Sequence, residues 1–176
     1  MITIHRILLA IGAAATILFT IPTLADDDDA NSGVIAATDK LYLEECGACH
    51  LAYPPGLLPA RSWEKLLSDL SDHFGENAEL GADVAQSLTA YLTNNAADKV
   101  RNRLSKRIAR TVGHATPLRI TETAFFKREH REVPQRLVKD NPKVQSFSKC
   151  QACHTRAAQG SFSEDEIDIP GHGKWD

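Results

Sequence analysis

A chain of 176 residues, 43% hydrophobic and 24% charged, with a formal net charge of −3, is a mildly acidic protein of one ordinary domain or two very small ones. That balance gives no reason to expect nucleic acid binding, and it speaks to solubility more than to fold. Its four cysteines and one methionine exclude more than its charge does.

Residues 1–25 read as a secretory signal of bacterial type. Arg6 lies in a short basic start, an apolar run extends from Ile7 to Ile21, and Thr23-Leu24-Ala25 offers small residues for cleavage after Ala25. The run is short for a bilayer span, and Asp26-Asp27-Asp28-Asp29 is the wrong flank for a stop-transfer helix. The alternative is an uncleaved membrane anchor. Cleavage implies the periplasm, leaves no membrane span, removes Met1, and makes the chain one unit more negative by removing Arg6.

The mature chain then divides into 26–96 and 97–176, at the small, polar joint Asn94-Asn95-Ala96-Ala97-Asp98. The first predicted helix runs from Ala36 to His50, with Tyr42 one turn before Cys46, and ends in Cys46-Gly47-Ala48-Cys49-His50. C-x-x-C-H is the attachment signature of c-type haem: two thiols add to the porphyrin vinyl groups and the adjoining imidazole reaches the iron. Pro54-Pro55-Gly56 and Pro59 force an extended loop, a carbonyl of which would receive the Nδ1 proton of His50.

Helices are predicted next at Ser62–Phe74 and Ala82–Thr93. In the first of these, Trp63, Leu66, Leu67, Leu70 and Phe74 form an apolar stripe, and His73 sits beside it just before Gly75 closes the helix. In the second, Val84, Leu88, Tyr91 and Leu92 face inward. A helix at Lys99–Val112 carries six basic side chains; it is either a solvated face or a surface for docking or for pairing haem propionates. Thr121-Glu122-Thr123 starts a helix that places Phe126 one turn before His130, and Pro134 ends it.

The second motif, Cys150-Gln151-Ala152-Cys153-His154, accounts for the remaining cysteines. A thioredoxin-like dithiol or a four-thiolate zinc site would also use C-x-x-C pairs, but neither requires a histidine after both. Glu164-Asp165-Glu166 with Asp168 reads as a solvated surface or helix start, calcium binding being the alternative, and Trp175 either packs on the second haem or frays. The fold class is all-α: two pieces too small to bury much apolar surface unaided, each completed by a porphyrin.

The distal ligands follow from composition. Met1 leaves with the signal, so His/Met ligation is unavailable to either haem. His/His, a rarer ligand such as lysine, or an open site remain. His50 and His154 are proximal by motif, and His73 and His130 are the leading distal candidates. His114 and His172 read as exposed loop residues and are weaker candidates. The expected activity is outer-sphere electron transfer at comparatively low potential, not catalysis. The rival is a dihaem enzyme with one open haem, a peroxidase or small-oxidant reductase.

Residues 34–95 resemble a class I cytochrome c domain, with helix, C-x-x-C-H, proline loop, middle helix, distal ligand and a last helix bearing Tyr91; the departure is His73 where that class usually has methionine. Glu45 through His50, Asp72-His73-Phe74-Gly75, Arg119-Ile120-Thr121-Glu122-Thr123 leading to His130, and the late second motif together resemble the small periplasmic dihaem cytochrome c family. The resemblance implies two covalently bound haem c groups held through Cys46, Cys49, Cys150 and Cys153. It also implies bis-histidine ligation by His50 with His73 and by His154 with His130, a class I-like first domain and a small, irregular α-helical second one. A soluble high-spin haem c protein is the implied partner, and a membrane cytochrome b the implied donor.

Overall fold

The computed structural model describes residues 33–175, so the signal at 1–25 and the acidic run at 26–29 lie outside the described residues. Among the described residues five α-helices carry the fold: α1 (Lys40–Glu45), α2 (Ala60–Leu67), α3 (Ala82–Asn94), α4 (Arg103–Val112) and α5 (Ala124–Glu129). Single 3-10 turns fill much of the rest, and the two-residue strands β1 (Asp168–Ile169) and β2 (Gly173–Lys174) pair antiparallel. The all-α expectation holds. Among the described residues no helix is long and apolar enough to cross a membrane.

Helix α1 is shorter than the expected 36–50. The Asp39 carboxylate accepts the Tyr42 N–H at 2.8 Å and fixes the start, and Cys46 closes the end by donating its N–H to the Tyr42 carbonyl. The residues from Cys46 to His50 are turns. There Gly47 presses so closely on the Leu43 carbonyl oxygen that a Cβ would collide with it.

The expected helix at 62–74 divides. Helix α2 stops at Ser68, whose hydroxyl donates to the Lys65 carbonyl, and a 3-10 turn at Leu70–Asp72 follows. Short polar side chains compete with helix here: Ser71 donates to Asp69, and Asp72 accepts the Gly75 N–H at 3.0 Å. His73 therefore lies in an extended bridge with Glu76, and the chain turns through Phe74 and Gly75 at φ of 61° and 98°. Helix α3 matches its expected span within one residue and packs on α2.

Two cores meet at the junction of the halves. Tyr42, Leu58, Trp63, Leu88, Leu92 and Ala96 form the first, while Val34, Leu57, Ala97, Leu104, Ile108 and Val112 form the second. Ala96 and Ala97 are both wholly buried. The Ala97 N–H donates to the Leu58 carbonyl at 2.9 Å and the Asp98 carboxylate accepts the Ala60 N–H at 2.8 Å, so the stretch at 94–98 is packed against α2.

Helix α4 begins later than expected, because Asn102 accepts the Ser105 N–H at 2.9 Å and acts as its cap. The amide of Asn102 also donates to the Gly33 carbonyl at 3.0 Å, and Val34 donates to the Gly160 carbonyl at 2.8 Å. Gly160 is required there: its φ is 80°, and a Cβ would strike the Val34 carbonyl oxygen.

Helix α5 starts at Thr123, whose hydroxyl accepts the Phe126 N–H at 3.1 Å and donates to the Ile120 carbonyl at 2.8 Å. It ends at His130, well before Pro134. Thr123→Ala removes both bonds from a buried side chain, and thermal unfolding of the haem-loaded protein should show a loss of about 1–2 kcal/mol. An unchanged melting curve would show that the cap does not hold this helix.

Candidate functional site

At the first motif Cys46 caps α1, and Cys49 and His50 follow on the exposed turn. His50 Nδ1 lies 2.7 Å from the Leu51 carbonyl oxygen. A carbonyl can only accept, so Nδ1 carries the proton and Nε2 is left with the coordinating lone pair. The orienting carbonyl is thus the next residue, not one from the proline loop. Within that loop the Pro55 carbonyl takes the Trp63 indole N–H instead, at 2.8 Å.

The His73 ring faces His50 with centroids 6.2 Å apart and planes 17° from parallel. Burial lowers its pKa, and the nearby His50 and Arg119 lower it further. The Arg119 guanidinium stacks 3.8 Å from the centre of the Phe74 ring and ties the His73 loop to the second half.

At the second motif Cys150 opens a 3-10 turn, Cys153 closes it, and His154 is fixed by its N–H to the Cys150 carbonyl at 2.8 Å and a bridge to Ile167. His130, at the end of α5, places Nδ1 3.0 Å from the Phe126 carbonyl, which again leaves Nε2 outward. Its ring stacks on Phe126 at 3.8 Å and meets Phe147 edge-on at 6.0 Å. His130 and His154 stand 5.9 Å apart at 71°.

Between them opens a cavity of about 700 Å³, bordered by Cys150, Cys153, His130, His154 and aromatic rings that include Phe147 and Phe162. His154 Nδ1 is buried there without a hydrogen-bond partner. Burial pushes the His154 pKa down to about 4, with His130 adding to the effect, and burial lowers His130 as well. Both rings are therefore neutral at neutral pH, and no proton has to leave before a metal binds.

Two metal–imidazole bonds of about 2 Å each, meeting at one ion, place ring centroids about 6 Å apart. Both histidine pairs have that separation. The four thiols are unpaired, and burial raises Cys46 and Cys150 to about 11, the reverse of a reactive redox dithiol. Among the described residues no three His, Cys, Asp or Glu side chains are grouped to hold a metal ion, so the two C-x-x-C pairs do not build a zinc site.

His114 and His172 are both exposed; the described ring contact of His172 is with Trp175 at 6.0 Å. Trp175 itself is half-buried and lines the cavity between His130 and His154. Arg103, Arg107 and Arg110 of the basic helix also border that cavity, with Arg107 held by Glu129 at 2.8 Å. In the acidic run Glu166 pairs with Arg156 at 2.6 Å and accepts from Ser161. Sequence reasoning missed Tyr53, Phe147 and Phe162. Phe147, three residues before Cys150, carried a usable signal, since an aromatic ring beside a haem motif is a natural wall.

A family profile described as dihaem cytochrome c matches residues 42–162. The chain belongs to the dihaem cytochrome c family. It is similar to the dihaem cytochrome c of Shewanella baltica OS155, with 44% identity and a TM-score of 0.65 over 78% of this chain and 97% of that one. It is similar also to two structures from Rhodobacter sphaeroides. One has 45% identity and a TM-score of 0.65, the other 43% and 0.60, each over 73% of this chain and all of the other. No curated protein sequence matches. As a dihaem cytochrome c the protein carries two haem c groups and is an electron-transfer cytochrome. The aromatic-walled cavity between His130 and His154 and the unpaired thiols fit such a group.

Proposed function

We propose that this dihaem cytochrome c is an outer-sphere electron carrier whose two haems are both closed by histidine. The observation that carries the reading is the pair of imidazole separations, 6.2 Å and 5.9 Å. Cys46 and Cys49 would hold the first haem covalently, with His50 and His73 as its iron ligands, and Cys150 and Cys153 the second, with His154 and His130. Each bound haem supplies a ferric/ferrous couple; the chain contributes ligands, burial and charge. Carbonyl-oriented imidazoles at His50 and His130 keep the rings in place through the redox cycle, so little has to reorganise. The arginines bordering the cavity would pair with the propionates of the second haem.

Exchange with a soluble high-spin haem c protein, and reduction by a membrane cytochrome b, are the roles that the family resemblance supports. An exported chain cleaved after Ala25 would perform them in the periplasm. Spectroscopy and redox titration of the purified protein should find two low-spin ferric haems, midpoint potentials below those typical of His/Met cytochromes c, and no stoichiometric carbon monoxide binding on reduction. Rapid binding of one carbon monoxide per chain would overturn the carrier reading in favour of an enzyme with an open haem.

A further inference from the structure

Tyr53 touches both sites at once. Its ring lies 5.0 Å from the His50 ring at an angle of 26°, and its hydroxyl donates to the Ser148 carbonyl at 2.7 Å. Ser148 lies just before Cys150, whose Sγ is 3.7 Å from the same oxygen. Tyr53 is itself held, because the buried Tyr42 donates its hydroxyl to the Tyr53 carbonyl at 2.9 Å and the wholly buried Pro54 and Pro55 follow in the chain. Burial pushes its phenol up to about 12, so it remains a donor at any physiological pH.

The segment it grips is fixed to the second site by Phe147, which meets the Phe126 and His130 rings edge-on, and by the buried Val144, while the Tyr53 hydroxyl ties it to the first half. Gln145 sits at a φ of 70°, and short contacts such as Ser146 to Ser148 at 2.7 Å are local. A thioether at Cys150 has no proton to donate, so after attachment the Ser148 carbonyl retains the Tyr53 hydroxyl as its donor.

The geometry points to Tyr53 as the positioning residue that sets the second haem against the first. One face bears on the proximal imidazole of the first site, and the hydroxyl anchors the segment feeding the thioether of the second. This rests on the ligand reading above. The placement governs how strongly an electron on one haem is felt at the other.

The test compares haem-loaded wild type, Tyr53→Phe and Tyr91→Phe. Tyr91 is a control: its hydroxyl accepts the Thr38 N–H at 3.1 Å and its ring packs 5.6 Å from Tyr42, within the first core. Y53F should keep two low-spin haems, broaden the iron–iron distance distribution in pulsed electron paramagnetic resonance, and shift the separation of the two midpoint potentials. Y91F should leave both readouts at wild-type values. A high-spin haem in the wild type sinks the ligand reading and this proposal with it. With a low-spin wild type, an unchanged Y53F sinks the proposal alone, and so does an equal response in Y91F, which would make Tyr53 an ordinary packing residue.

Discussion

Replacing His130 with alanine converts one haem of the two to high spin and lets the reduced protein bind one carbon monoxide per chain. The argument is one of supply. His130 is held by the Phe126 carbonyl at 3.0 Å and clamped against the Phe126 ring at 3.8 Å, facing His154. No other described histidine replaces it, since His114 and His172 are exposed, and the single methionine is Met1. The potential of that haem should rise on losing an imidazole donor, while the other stays near its wild-type value. The matched His114→Ala protein should retain the wild-type spectrum. A low-spin His130→Ala protein would remove His130 from the iron.

A second substitution should affect the fold as well as the spectrum. Serine at both Cys150 and Cys153 leaves one haem per chain and should unfold residues 131–175. That stretch contains only single 3-10 turns and two-residue strands among its regular elements, and its buried anchors are few, Val138, Val144, Ala157 and Ile169 among them. Without its porphyrin this half would keep a cavity of about 700 Å³ whose aromatic walls have nothing to pack on, and so few anchors do not hold those walls apart. The cavity therefore collapses instead of persisting. Limited proteolysis should cut beyond residue 130 while α1 to α3 survive; full protection would show that the porphyrin is not the core of this half.

The two C-x-x-C-H motifs were legible because covalent chemistry fixes such spacing locally. The facing of His50 with His73 and of His130 with His154 was legible as a pairing, since composition left few other distal ligands. The path of the chain was less so. Apolar spacing runs straight through Ser68, but the hydroxyls and carboxylates of Ser68, Asp69, Ser71 and Asp72 bond locally and end the helix there. The same spacing ran past Asp39 and Asn102, whose side chains fix the true starts of α1 and α4. Contacts between distant segments, such as Tyr53 with Ser148 and Arg119 with Phe74, leave no periodic trace in a sequence at all.

The bond from Val34 to Gly160 links residues from the two extremes of the described chain. Closing it joins residues far apart in the described chain, whereas the packing of α2 on α3 needs only neighbours in sequence. On loop-closure entropy its formation is expected late in folding. The amide proton of Val34 is sealed by that closure, and hydrogen exchange at this one position becomes a gauge of how often the two halves part.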